Sequence, residues 1–134
     1  MIVDAENAIL GRLASRIAKM LLKGENVIVI NAEKAIVTGN PKAVFERFRE
    51  KRARGDPKKG PFYPRYPDRI LWRAVRGMLP YKKDKGRKAL KRLRVYIGNP
   101  EGLKGEKIGK SLKDIRCKYV TLEEVCKKLG AKLG

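Results

Sequence analysis

The chain has 134 residues, 43% of them hydrophobic, and its 34 Lys/Arg against 14 Asp/Glu give a net charge of +20 with no His at all. That length predicts a single domain over 1–134 with one real core, and the composition excludes a disordered chain, a disulfide framework and any Ser–His or Cys–His catalytic pair. No apolar run approaches the roughly 18 residues of a membrane span, and Asp4 and Glu6 stand where an export signal would be positive, so a cytoplasmic protein is expected.

In chain order, Ile2, Val3 and Asp4 read as a short strand entering a turn. From Leu10 the apolar positions Leu10, Leu13, Ala14, Ile17, Ala18 and Leu21 repeat at helical spacing, with Arg12, Ser15, Arg16 and Lys19 on the wet face. Gly24 supplies the left-handed residue that ends this helix. The β-branched run VIVI over 27–30 predicts a strand buried on both faces of a parallel sheet, which completes a βαβ unit. A further short strand is expected at 35–37. Asn40 then caps a second helix with Pro41 at its first position. Val44, Phe45 and Phe48 form its apolar side before it turns basic.

Prolines and glycines over 55–67 predict an irregular loop. A helix capped by Asp68 follows to about Leu79. Ile70, Leu71, Ala74, Val75 and Met78 form its buried stripe, and Arg69, Arg73 and Arg76 lie on another face. Trp72 stands beside that row, and the pattern leaves open whether it is core or surface. Pro80 closes this helix, and a short one is predicted over 85–92. Leu93, Val95 and Ile97 alternate with Arg94 and Tyr96 as in a strand. After a glycine-rich loop, Thr121 and Glu124 form a capping box opening a terminal helix with Leu122, Val125, Cys126 and Leu129. Cys117 and Cys126 read as reduced, partly buried thiols.

The charge is concentrated. Residues 47–94 hold 19 Lys/Arg and 4 Asp/Glu, a net +15, while the remaining residues carry only +5. Such a density repels itself unless a polyanion is present. The candidate RNA-binding residues are Arg47, Arg49, Lys51, Arg52 and Arg54 on the second helix; Lys58, Lys59, Phe62, Tyr63, Arg65 and Tyr66 in the loop; the stripe Arg69, Arg73, Arg76; and Lys82, Lys83, Lys85, Arg87, Lys88, Lys91 and Arg92 beyond it. Guanidinium forks chelate phosphates, and exposed aromatics stack on unpaired bases, which folded RNA has and duplex DNA lacks. No DNA-reading motif is present, and no long basic helix has the bulky apolar face a membrane surface would take.

Enzymatic readings are weaker. The stretch KGEKIGKS resembles a P-loop, but three residues rather than four separate Gly105 from Gly109, and it does not directly follow a strand. Asp4 at a strand end has neither a His nor a second acid at ligand spacing, so it is read as a structural hydrogen-bond acceptor. No metal or cofactor is expected.

Five segments carry a family resemblance: Ile2-Val3-Asp4-Ala5, Gly11-Arg12-Leu13-Ala14-Ser15, Val29-Ile30-Asn31-Ala32, Ala74-Val75-Arg76-Gly77-Met78-Leu79-Pro80 and Leu93-Arg94-Val95-Tyr96-Ile97-Gly98. Their order resembles that of the large-subunit ribosomal protein thirteen family, and GPFYPRYPDRILWRAVRGMLPYKK is similar to its archaeal branch. Asn99-Pro100-Glu101 replaces the His-Pro-His of bacterial members, so contacts of the bacterial C-terminal segment are not carried over. The resemblance implies an α/β fold, a three-layer α/β/α arrangement with a small, mainly parallel sheet plus basic helical and loop extensions. It also implies a structural role in the large ribosomal subunit without catalysis or a small-molecule substrate, the partners being large-subunit rRNA and neighbouring ribosomal proteins.

Overall fold

The computed structural model describes residues 1–53 (backbone alone over 51–53), 66–107 and 118–129. Its first strand, β1 (Ile2–Asp4), leads into helix α1 (Leu10–Leu22) and strand β2 (Val27–Ile30). Leu13, Ala14, Ile17, Ala18 and Leu21 are buried along one side of α1, as the spacing requires. Gly24 takes φ +93°, the left-handed turn that lets the chain drop into β2. β2 is the middle strand of a parallel sheet ordered β1–β2–β4, pairing Val3 with Val29 on one side. On its other side Val27 faces Leu93 and Val29 faces Val95 of β4 (Leu93–Val95). A central strand meets protein on both faces, which is why VIVI has no polar alternation.

After a 3-10 turn at Ala32–Lys34 come β3 (Ile36–Thr38) and α2 (Pro41–Ala53). The Asn40 side chain accepts from the Lys42 amide at 3.0 Å, so the predicted cap forms. Beyond α2 are α3 (Pro67–Gly77), α4 (Asp84–Lys91), β4, β5 (Tyr119–Thr121) and α5 (Leu122–Lys128). Thr121 caps α5 by accepting from the Glu124 amide at 3.2 Å. Its Leu122, Val125 and Cys126 are buried. The result is the mixed α/β fold with a small, mainly parallel sheet that was expected.

Four local details differ from expectation. The helix at α3 starts two residues early: Tyr66 rather than Asp68 is the N-cap, with no side-chain capping bond, and Pro67 opens the first turn. Asp68 still sits in the first turn, where a carboxylate complements the helix dipole. Met78 is 45% exposed and Leu79 takes the buried place. The helix stops at Gly77, so helical spacing no longer governs Met78, whose φ is −99° and ψ 0°. β4 ends at Val95 because the next residues turn toward Asn31, whose amide donates to the Gly98 carbonyl at 2.8 Å. Finally, β3 and β5 form an antiparallel pair, Val37 opposite Val120, that was not foreseen.

Candidate nucleic-acid interface

α3 is held by Ile70, Leu71 and Val75, all fully buried, and packs against α1 and β4. Its opposite side carries the arginine row, but the three members differ. Arg69 is exposed, Arg73 is half-buried, and Arg76 is half-buried with its guanidinium 4.4 Å from the centroid of the Tyr81 ring. That stacking holds Arg76 in place and leaves the edge of its fork for other acceptors. Trp72 is 37% exposed and therefore stands at the surface rather than in the core.

Beyond α3 the chain folds back tightly. The Tyr81 amide donates to the Leu79 carbonyl at 2.8 Å and the Lys83 amide to the Pro80 carbonyl at 2.9 Å. This turn presents Lys82 and Lys83, and α4 continues with Lys85, Arg87, Lys88 and Lys91, all exposed, while Gly86 and Ala89 face inward. Arg87 pairs with Asp84 at 3.2 Å between two well-exposed side chains, a weak tie that a phosphate can replace. Trp72, Arg87, Leu90, Lys91, Leu93 and Arg94 line one open hollow of about 620 Å³. Arg94 was absent from the expected binding residues. Strand alternation shows that it points outward, but only the pairing of β4 at the sheet edge brings it beside the α4 cations.

Arg92 differs from its neighbours. Its Nη1 donates to the Leu21 carbonyl at 3.0 Å, in a part-buried bond that ties the end of α4 to the end of α1. The fold uses this guanidinium for itself. Arg92→Ala should therefore cost about 1 kcal/mol of stability and leave the salt dependence of RNA binding unmoved. A unit drop in that slope with unchanged stability would return Arg92 to the interface. Tyr66, expected as an exposed stacking ring, is half-buried against the core.

Arg47 and Arg49 are exposed on α2, which packs on α5 and β5. Arg49 lines a separate hollow with Lys42, Phe45, Glu46 and Lys128. The structure thus does not gather these two around Trp72. The side chains of Lys51 and Arg52, and Arg54, Lys58, Lys59, Phe62, Tyr63 and Arg65 altogether, lie outside the described residues, as does most of the loop at 55–67.

The rival chemistries find little support among the described residues. Asp4 Oδ1 accepts from the Glu6 amide at 2.9 Å and from Asn31 Nδ2 at 3.1 Å, the structural role read from its position. Glu106, within the glycine-rich stretch, pairs with β1: the Asp4 amide donates to its carbonyl and its own amide donates to the Ile2 carbonyl, each at 2.9 Å. Its backbone is therefore committed to the sheet edge rather than to a phosphate. Residues 108–117, which include Gly109, lie outside the described part. Cys126 is buried, and burial, helped by the Asp68 carboxylate, pushes its thiol up to about 12, far from a reactive thiolate. Cys117 lies outside the described residues. No cluster of His, Cys, Asp and Glu could hold a metal, and no helix is long and apolar enough to cross a membrane, among the described residues.

Comparison with known proteins places the fold. A family model for ribosomal protein L13 matches residues 1–102. The large ribosomal subunit protein uL13 of Archaeoglobus fulgidus is 53% identical, the match covering 96% of this chain and 86% of that one. The uL13 of Methanocaldococcus jannaschii is 49% identical over 98% of both chains. That of Halobacterium salinarum is 47% identical over 98% of this chain and 91% of its own.

Proposed function

The chain belongs to the ribosomal protein L13 family, archaeal in type, and from that premise we propose that the exposed cations of α3, α4 and β4 form its rRNA-binding surface. A protein of this family is a structural constituent of the large ribosomal subunit and not an enzyme. Association with large-subunit rRNA and with other ribosomal proteins follows from that membership, in the cytoplasmic ribosome.

One observation carries the finer assignment. Three elements with separate reasons to form leave Arg69, Arg87, Lys91 and Arg94 exposed within one neighbourhood, beside the lysines of the 82–85 turn. Side chains crowded in this way repel one another in the free protein. Phosphates remove the repulsion and release condensed counterions as they bind, so RNA association and folding stability reinforce each other. The guanidiniums fix orientation through paired hydrogen bonds, while the lysines act as mobile point charges.

Ultraviolet crosslinking in cells, followed by mapping of the peptides that carry nucleotides, tests this assignment. Crosslinked large-subunit rRNA should appear on peptides within 69–94. Crosslinks confined to the α1 face of Arg12, Arg16 and Lys19 would move the interface to α1 and overturn the assignment.

A further inference from the structure

Trp72 is the single tryptophan of the chain, and neither the core nor phosphate binding accounts for it. The residue is 37% exposed on α3, although a buried Trp would contribute more to the core than most side chains. It borders two hollows. The smaller, about 220 Å³, is lined also by Asp68, Arg69 and Val95. The larger, about 620 Å³, is lined also by Arg87, Leu90, Lys91, Leu93 and Arg94.

The larger hollow combines two kinds of surface. Leu93 is buried and Leu90 half-buried, so with the indole they give an apolar floor, while Arg87, Lys91 and Arg94 are exposed at its rim. Phosphate alone would need the rim and gain nothing from the floor. A purely apolar segment would use the floor and leave three cations desolvated without partners, at a cost. A nucleotide uses both, since its base has two apolar faces and its phosphates carry the opposite charge. In the smaller hollow the Asp68 carboxylate offsets the charge of Arg69, whereas the larger one carries three cations and no carboxylate, so its field on a phosphate is the stronger.

We propose that Trp72 is a stacking platform for one unpaired rRNA base, received in the hollow between α3, α4 and β4 with its flanking phosphates on Arg87, Lys91 and Arg94. The proposal rests on the reading of this face as rRNA-binding and adds a structural selectivity to it. Paired bases are stacked inside their helix and offer no free face to the indole, whereas loops and bulges do. The site therefore recognises single-stranded character within a folded RNA, without depending strongly on which base is presented.

Because the chain has one tryptophan, its emission reports this site directly. The full-length protein is titrated with a dye-labelled RNA hairpin bearing a single-stranded loop, and with the same stem closed as a blunt duplex. Dye anisotropy measures binding, and tryptophan emission measures stacking. The hairpin should bind and quench Trp72, while the duplex should bind with little quenching. Trp72→Ala should weaken hairpin binding about 5- to 150-fold, the 1–3 kcal/mol of one base–aromatic stack, with an unchanged salt slope, and Trp72→Phe should restore most of the loss. Circular dichroism establishes that both variants fold. Hairpin binding without quenching, or Trp72→Ala binding as tightly as the parent, overturns the stacking site and leaves the rRNA surface standing. Failure of either RNA to change the anisotropy at low salt defeats the surface itself. A crosslink from Trp72 to a neighbouring ribosomal protein instead of RNA would assign the hollow to a peptide and also overturn the proposal.

Discussion

Gly86→Ala should lower the melting temperature by roughly 8–12 °C. On an open helix the same change would raise stability, because Gly costs about 1 kcal/mol relative to Ala. Here the added Cβ would stand 2.8 Å from the Tyr81 amide nitrogen and closer still to the Pro80 carbonyl. Those are backbone atoms, and the Pro80 carbonyl is already fixed by the Lys83 amide at 2.9 Å. A flexible side chain could turn aside, but this turn cannot. α4 would be pushed off the turn and Ala89, now fully buried, would lose its place in the core. Overpacking of this kind costs about 2–3 kcal/mol net, and at this chain length each kcal/mol corresponds to about 4 °C. Thermal unfolding followed by circular dichroism measures it. A rise of a few degrees would mean that α4 does not seat against the turn at Pro80, and the placement of Lys85, Lys88 and Lys91 would fall with it.

Gly86 illustrates what the sequence conceals. A glycine between Lys85 and Arg87 looks like a weak point in a basic helix, and only the return of the chain after Pro80 makes it a contact. The β1–α1–β2 unit was readable because its causes are local: helical spacing from Leu10 to Leu21, a positive-φ glycine at 24, and a continuous β-branched run. The caps at Asn40 and Thr121 were readable for the same reason. Failures came where a distant partner decides the outcome. β5 has three residues, too few to show a period, and forms because Ile36, Val37 and Thr38 stand ready to pair with it. Met78 kept its helical phase in the sequence, but the helix had already ended.

The interface divides in the same way. Charge density alone marked 47–94 as the proposed RNA surface, and helical phase placed Arg69 on the outer side of α3. It could not show that Arg76 lies over Tyr81, that Arg92 is bonded to Leu21, or that Arg94 joins the group. Each of these depends on tertiary approach. An exposed Trp72 was equally invisible, because on a helix its neighbours at three and four residues are of both kinds, Arg69 and Arg76 beside Val75.

The most direct test of the account is the salt dependence of rRNA binding in a variant with Arg69, Lys85, Lys88 and Lys91 all replaced by Ala. These four are exposed, whereas Arg73 is half-buried and Arg76 is stacked on Tyr81, so the choice removes charge without removing internal contacts. Stability should stay level or rise slightly as like-charge repulsion is relieved. Each phosphate contact contributes about 0.7–0.9 to the slope of log Kobs against log salt concentration, so the variant should lose roughly 3 units of slope along with affinity. A folded variant that binds rRNA with the parent's slope would show that α3 and α4 present a merely solvated face, and the interface assigned here would be wrong.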